Sequence, residues 1–352
     1  GGGVRAAGAE EAVRALARQW GAATATTASG RGTFDEHDPH CLGLAGLYAT
    51  PPLTTAFAEA DVVLAIGSAL EETVRMGWDL NRVRLVHADL DATVFDRAVP
   101  AEVMLLGDAR LTAEALGAAL PVEGAEVAGR AGWLAGVAEA RKQLDAEAAA
   151  VPFTTSPTRG VLRVLPEVFP DAVLVQENGL HDIWGYHISA LTLPAGYPVI
   201  GPGEQTMMGF GLPAALGAAV SRPGRPVVLV CGDGAFAMSV NTLPTAAELG
   251  CPLVMVVFDN RGFGWPRFLR RQEDQPSTFA DFRTPLPMAA LVTSLGGFTT
   301  TVTGGAGVRP ALAAARAAAE TGRLALVVVP VDDEDVPVGI RRICGTDEAA
   351  PC

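Results

Sequence analysis

The chain lacks a basic surplus: 26 Lys and Arg stand against 39 Asp and Glu in 352 residues, a net charge of −13. The basic residues are scattered, so no clustered face exists for a nucleic-acid backbone. A polyanionic ligand must instead be held locally, by backbone amides, helix termini or a metal. Long apolar runs are missing too, and none reaches the roughly 18 residues that cross a bilayer; no signal peptide is expected. Cysteine is sparse: Cys41, Cys231, Cys251, Cys344 and Cys352 are odd in number and form no CxxC pair. That excludes a disulfide framework and points to reduced thiols in a cytoplasm. Charged residues are only 18% of the chain, against 49% hydrophobic, so disorder does not dominate.

At this length two domains are expected. An Ala-rich helix from about Glu10 to Trp20 is followed by "AATATTASGRG", "ADVVLAIGSAL" and "VRLVHADLDA". Short apolar runs alternating with helices predict a parallel sheet covered on both faces. Sheet signals vanish over a Pro- and Thr-containing stretch, then return in "AVLVQENG", "YPVIG", "PVVLVCGDG", "PLVMVVFDN" and "LALVVVPVD". The reading is α/β, with two open parallel-sheet domains: a Rossmann-like one over 1–122 and a second over 161–335. A helical linker over 123–160 joins them, and a tail follows over 336–352. The chain opens on "GGGVRAAGAEE", at what looks like the end of a strand, which suggests a fragment.

Gly1, Gly3 and Gly8 are candidates for a dinucleotide phosphate turn, with Asp89 and Asp91 at a strand end for a ribose. The signal is weak, because no strand precedes the glycines, and acidic strand ends are common. His37 and His40 in "EHDPH" have a metal-like spacing but no third ligand, so a surface loop is the better reading.

The second domain is more specific. The strand "PVVLVC" ends at Gly232-Asp233-Gly234, and the next apolar strand ends at Asp259-Asn260, 27 positions after Asp233. In a doubly wound sheet the carboxyl ends of neighbouring strands meet in one crevice, so Asp233 and Asn260 should meet. A carboxylate, an amide oxygen and a carbonyl are hard donors suited to Mg²⁺, which keeps phosphate oxygens in its remaining positions. Gly234 lets backbone amides approach those phosphates. A turn is expected at the glycines, with the next helix starting near Asn241.

From "MGFGLPAALGAAV" through "VVLVCGDGAFAMSV" to "DNRGFG", the sequence resembles the thiamine diphosphate (ThDP) enzymes of the acetolactate synthase and 2-keto-acid decarboxylase group. The resemblance implies that Asp233, the Asn260 side chain and the Gly262 carbonyl ligate Mg²⁺, with Gly232, Gly234 and Ala235 at the diphosphate. That family usually has Asn-Asn where this chain has Asp259-Asn260. The extra charge is expected to lower phosphate affinity. In "GEQTMMGFGLPAA" the Thr206 carbonyl would accept from the aminopyrimidine and Met208 would wedge the cofactor into a bent form, core filling being the plain alternative. "QENGLHDIW" is similar to a Gly-Gln-His-Gln-Met-Trp loop, with Gly179, His181 and Trp184 corresponding and Leu180 and Asp182 replacing both glutamines. His181 would touch phosphate or substrate, or act as a simple hydrogen-bonder. Glu177 and Asn178 are plausible pocket lining.

By the same resemblance the first domain is the family's middle domain, which binds FAD, ADP, coenzyme A or nothing. Here Ala69-Leu70-Glu71-Glu72-Thr73 replaces the Arg-Phe-Asp-Asp-Arg run of FAD-bearing members, which argues against FAD. The family's pyrimidine domain, with its activating glutamate, does not correspond to any part of this sequence. The resemblance therefore implies no catalytic residue in this chain, a pyrimidine-domain segment or subunit as partner, and a homo- or hetero-oligomer. Pro266 stands where pyruvate decarboxylases carry an acidic residue, and Trp265 and Phe268 are candidate pocket residues. Carboligation of a 2-keto acid such as pyruvate is the expected activity. The alternatives are a decarboxylase or aldehyde lyase, a non-catalytic cofactor-binding subunit and, last, a nicotinamide oxidoreductase.

Overall fold

A computed structural model describes residues 1–120, 129–203, 206–332 and 335–337. Most of the expected tail, part of the expected linker, Cys344 and Cys352 lie outside the described residues. The chain divides into two units, one of residues 1–148 with 193–196, the other of 149–192 with most of the remainder.

The first unit contains strands β1 (Thr24–Thr26), β2 (Cys41–Leu44), β3 (Val62–Ile66), β4 (Arg84–Asp89) and β5 (Val103–Leu106). Its helices are α1 (Gly2–Ala6), α2 (Glu10–Trp20), α3 (Pro51–Ala58), α4 (Glu72–Arg75), α5 (Ala109–Ala119) and most of α6 (Arg130–Ala150). The strands are parallel but make two separate sheets, β1-β2 and β3-β4-β5. The helix read from the sequence over Glu10–Trp20 is α2, which buries Val13 and Leu16 against Ile66, Ala109 and Ala113. Gly21 closes it in the left-handed conformation that glycine favours.

The opening glycines make no phosphate turn into a long helix. A Cβ on Gly1 would meet the Gly67 carbonyl oxygen at 2.1 Å and one on Gly3 the Gly67 Cα at 2.8 Å, so these glycines permit backbone to pack on backbone. Asp89 and Asp91 spend side-chain oxygens on the amides of Asp91 and Thr93. His37 and His40 sit beside Asp35 and Asp38 of their own exposed loop. That loop is anchored by a buried two-point pair between Arg31 and Glu36, at 2.7 and 2.9 Å.

The second unit begins with α7 (Pro157–Val168), whose first turn is capped by Ser156. It then carries one six-stranded parallel sheet of β6 (Val173–Gln176), β7 (Val199–Ile200), β8 (Val227–Gly232), β9 (Leu253–Asp259), β10 (Phe298–Thr301) and β11 (Ala325–Pro330). The helices are α8 (Leu180–Tyr186), α9 (Gly211–Ser221), α10 (Asp233–Ser239), α11 (Leu243–Glu248), α12 (Gly264–Gln272), α13 (Met288–Ser294) and α14 (Gly305–Glu320). Strand order is β7-β6-β8-β9-β11-β10. Val227 to Val230 and Leu253 to Val257 are wholly buried, which explains their uninterrupted apolar runs. After β6 the chain goes first to one side, to β7, and then to the other, to β8. That reversal opens a crevice at the carboxyl ends of β6 and β8, where ligands of such sheets bind.

Candidate functional site

Three segments converge at that crevice: 177–182 after β6, 232–235 after β8, and 259–262 after β9. The helix after β8 begins at Asp233 itself, capped by Gly232, and not near Asn241 as the sequence suggests. The two glycines read as a turn, yet Gly232 is extended (φ −89°, ψ 160°) and Gly234 is already helical. Gly234 is required by close packing: a Cβ there would meet the Phe263 ring at 2.8 Å.

Asp233 is buried, and its Oδ2 accepts from the Gly262 amide at 2.9 Å. The inner atom of the Asn260 amide lies 3.2 Å from Asp233 Oδ1 and 2.9 Å from the Gly262 carbonyl oxygen. Turned nitrogen-inward, Asn260 donates to both. Turned oxygen-inward, it sets three oxygens around one point, which a shared cation makes favourable. The structure thus brings Asp233, Asn260 and Gly262 together, and the oxygen set fits Mg²⁺. Among the described residues no three His, Cys, Asp or Glu side chains cluster as a metal site; this trio has only one such side chain.

Burial, and then the Asp259 carboxylate, push Asp233 up to about 7, against the amides of Gly262 and Gly234, which hold it down. Asp259 itself accepts from the Arg261 amide at 3.1 Å, and Arg261 takes a left-handed turn at φ 57°. The departure from Asn at position 259 therefore acts on the neighbouring carboxylate.

Sequence reading missed the brace beneath this loop. Arg267 in α12 is buried and donates to the carbonyls of Asn260 and Arg261, both at 3.0 Å. Its Nε pairs with Asp281 at 2.7 Å. Phe263 N donates to Ala280 O and Phe282 N to Arg261 O, so residues 280–282 close the far side. A Cβ on Gly262 would lie 2.0 Å from Arg267 Nη2 and 2.2 Å from Ala280 O. Arg267 is one of three arginines in α12, with Arg270 and Arg271, and charge alone did not mark it as the buried one.

His181 lies in α8, with its ring stacked near Phe258 and its Nδ1 3.5 Å from where a Cβ of Gly232 would be. Burial lowers it to about 4, so it is neutral at pH 7 and offers a hydrogen bond rather than a charge. Its buried Nε2 has no partner among the described residues. Glu177 is buried and accepts from the Gly211 amide at 2.6 Å and from the Asn178 amide at 2.9 Å. It ties the β6 loop to the start of α9, and burial raises it. Asp182 is raised further by burial, offset partly by the Gly179 amide. A third-position side chain reaching back to the N-cap amide is a helix-capping arrangement. Trp184 lies under Arg159, 4.3 Å from its guanidinium carbon, and donates to the Asp335 carbonyl, so it is framework.

Ala235 is buried beside Asp233. Thr206 is exposed with φ 44° and Met208 is half-buried. Nearby, Gly209 packs on Met238 of α10 and Gly211 is held by Glu177. Trp265 and Phe268 are half-buried in α12, and Pro266 is exposed.

Two family models match the sequence. The thiamine pyrophosphate enzyme central domain covers residues 1–116, and the C-terminal TPP-binding domain covers residues 177–329. A "probable acetolactate synthase large subunit" of Methanocaldococcus jannaschii is 30% identical over 275 residues, 75% of this chain and 45% of that protein. An acetolactate synthase large subunit of Parasynechococcus marenigrum is 29% identical over 84% of this chain and 48% of its own length. One from Corynebacterium glutamicum is 30% identical over 76% and 43% respectively. The chain spans about half the length of the curated relatives it matches.

Proposed function

Since the chain belongs to the thiamine pyrophosphate enzymes, carrying their central and C-terminal domains, we propose that its second unit holds thiamine diphosphate through Mg²⁺ for an acetolactate synthase-like carboligation of a 2-keto acid. The observation that carries the metal site is the convergence of Asp233 Oδ1, the Asn260 amide and the Gly262 carbonyl. Asp233, Asn260 and Gly262 would ligate the ion. Gly232, Gly234 and Ala235 would face the diphosphate, where first-turn amides lack intrahelical acceptors. His181 would donate to it without charge. Thr206 and Met208 would orient the cofactor's middle. When bound, the cofactor supplies the carbon nucleophile and electron sink for a 2-keto acid.

The protein's own part is positional and electrostatic. Arg267 fixes the loop that presents Gly262 through the carbonyls of Asn260 and Arg261, Asp233 takes up cation charge, and Glu177 fixes the loop entering α9. No proton-transfer residue is assigned to these segments; the glutamate that activates the cofactor would belong to a pyrimidine domain of the complete, oligomeric enzyme. Carboligation is favoured over simple decarboxylation because the relatives are acetolactate synthases by name and Pro266 offers no acid in α12. The complete enzyme, supplied with pyruvate and an acceptor 2-keto acid or aldehyde, should yield carbon dioxide together with a new carbon–carbon product. Carbon dioxide and free aldehyde alone would assign it to the decarboxylases instead.

A further inference from the structure

Gly232 of β8 stands in register with Phe258 of β9, so the next residues, Asp233 and Asp259, take neighbouring positions at the ends of adjacent strands. Their carboxyls are close enough to share a hydrogen bond, and Asp259 is the charged group that acts on Asp233. Both are tied to consecutive amides of one turn: Asp259 Oδ1 accepts from Arg261 N at 3.1 Å, and Asp233 Oδ2 from Gly262 N at 2.9 Å. Among the described residues no Lys, Arg or His pairs with either carboxylate. Arg267, the buried arginine beneath the turn, gives its Nε to Asp281 instead. Two like charges held together without a counter-cation are costly where burial weakens solvent screening. A second feature marks the same spot: the inner atom of the Asn260 amide lies 3.2 Å from Asp233 Oδ1 and 2.9 Å from the Gly262 carbonyl oxygen. The extra carboxylate is thus added where oxygens already converge.

We infer that Asp259 makes this turn a divalent-cation site in its own right, one that takes up its metal before the diphosphate and without it. The inference rests on the Mg²⁺ reading of Asp233, Asn260 and Gly262 given above. With Asp233 as the only charge, the protein leaves a dication half neutralised, and the diphosphate must arrive with it. With Asp259 beside it the protein contributes two negative charges, which match a dication, and the affinity of an oxygen site rises with its ligand charge. The same neutrality reduces what the cation offers the phosphates. Metal and diphosphate are therefore coupled more weakly than in a site with one carboxylate, each changing the other's affinity by the same smaller factor.

Mn²⁺ titrations at pH 8, with free Mn²⁺ followed by its electron paramagnetic resonance signal against a protein-free control, test this. They compare the chain with its Asp259→Asn and Asp259→Glu variants, each with and without thiamine diphosphate. Without the diphosphate the chain should bind Mn²⁺, Asp259→Asn should bind it about tenfold more weakly, and Asp259→Glu, which keeps the charge, should stay within about threefold of the chain. With the diphosphate present the gap between the chain and Asp259→Asn should close to about threefold or less. Equal affinities of the chain and Asp259→Asn without the diphosphate, or no Mn²⁺ bound by the chain until the diphosphate is added, would overturn the inference. So would a loss of equal size with and without the diphosphate that Asp259→Glu does not rescue, because Asp259 would then support the shape of the turn rather than supply charge. Asp233→Asn separates this inference from the reading beneath it. Diphosphate binding that needs Mn²⁺ and Asp233, with no Mn²⁺ bound beforehand, would sink the inference alone; diphosphate binding indifferent to Asp233 would sink both.

Discussion

Asp233 carries the metal reading, and its environment sets a pH window. A carboxyl raised to about 7 by burial and by Asp259 is half protonated there, and a ligand must be ionised to bind a cation. Proton and cation compete, so Mg²⁺ affinity should fall about tenfold per pH unit below 7 and level off above it, as calorimetric titration between pH 5.5 and 8.5 would show. Asp259→Asn removes the second cause of the shift, so the break should move to lower pH and phosphate affinity should rise; an unmoved break would mean burial acts alone. Gly262→Ala places a methyl 2.0 Å from Arg267 and 2.2 Å from a backbone oxygen. It should displace the loop, lower the thermal midpoint by several degrees and cost metal affinity at least tenfold.

Among the elements, α12 is the one whose role the sequence concealed. Arg267→Met keeps the stem but strips the donors from two carbonyls and leaves Asp281 unpaired. Because Asp281 remains 44% exposed, the loss should be about 2 kcal/mol rather than that of a fully buried pair, measured by urea unfolding. Strands β8, β9 and β11 were legible because each is buried on both faces and so reads as one apolar run. By contrast, β10 is Phe298-Thr299-Thr300-Thr301 at the sheet's edge, half-buried and polar, and β2 is interrupted by Gly43. Neither sequence reads as an unbroken apolar run, although β2 is buried throughout. The start of α10 was misplaced for a related reason: Gly-Asp-Gly is turn chemistry by itself, and only packing against Phe263 makes glycine necessary inside a helix there.

At the scale of the molecule the two units differ in how completely their strands are covered. Hydrogen exchange of the chain starting at Gly1 should follow that difference, with β8, β9 and β11 exchanging slowest and the half-exposed β3 and β5 far sooner. Equal protection would mean β3 is covered in solution. The buried strands of the second unit could be read from apolar runs, and Asp233 with Asn260 from strand ends. The division of the first unit's strands into two sheets could not, since pairing depends on partners distant in sequence. The central claim is that Asp233, Asn260 and Gly262 hold a magnesium-bound diphosphate. Titrating thiamine diphosphate into the protein and its Asp233→Asn variant, with and without Mg²⁺, tests it most directly. Binding should require the metal and weaken at least tenfold in the variant. Equal affinity in both proteins, or binding indifferent to Mg²⁺, would contradict the account.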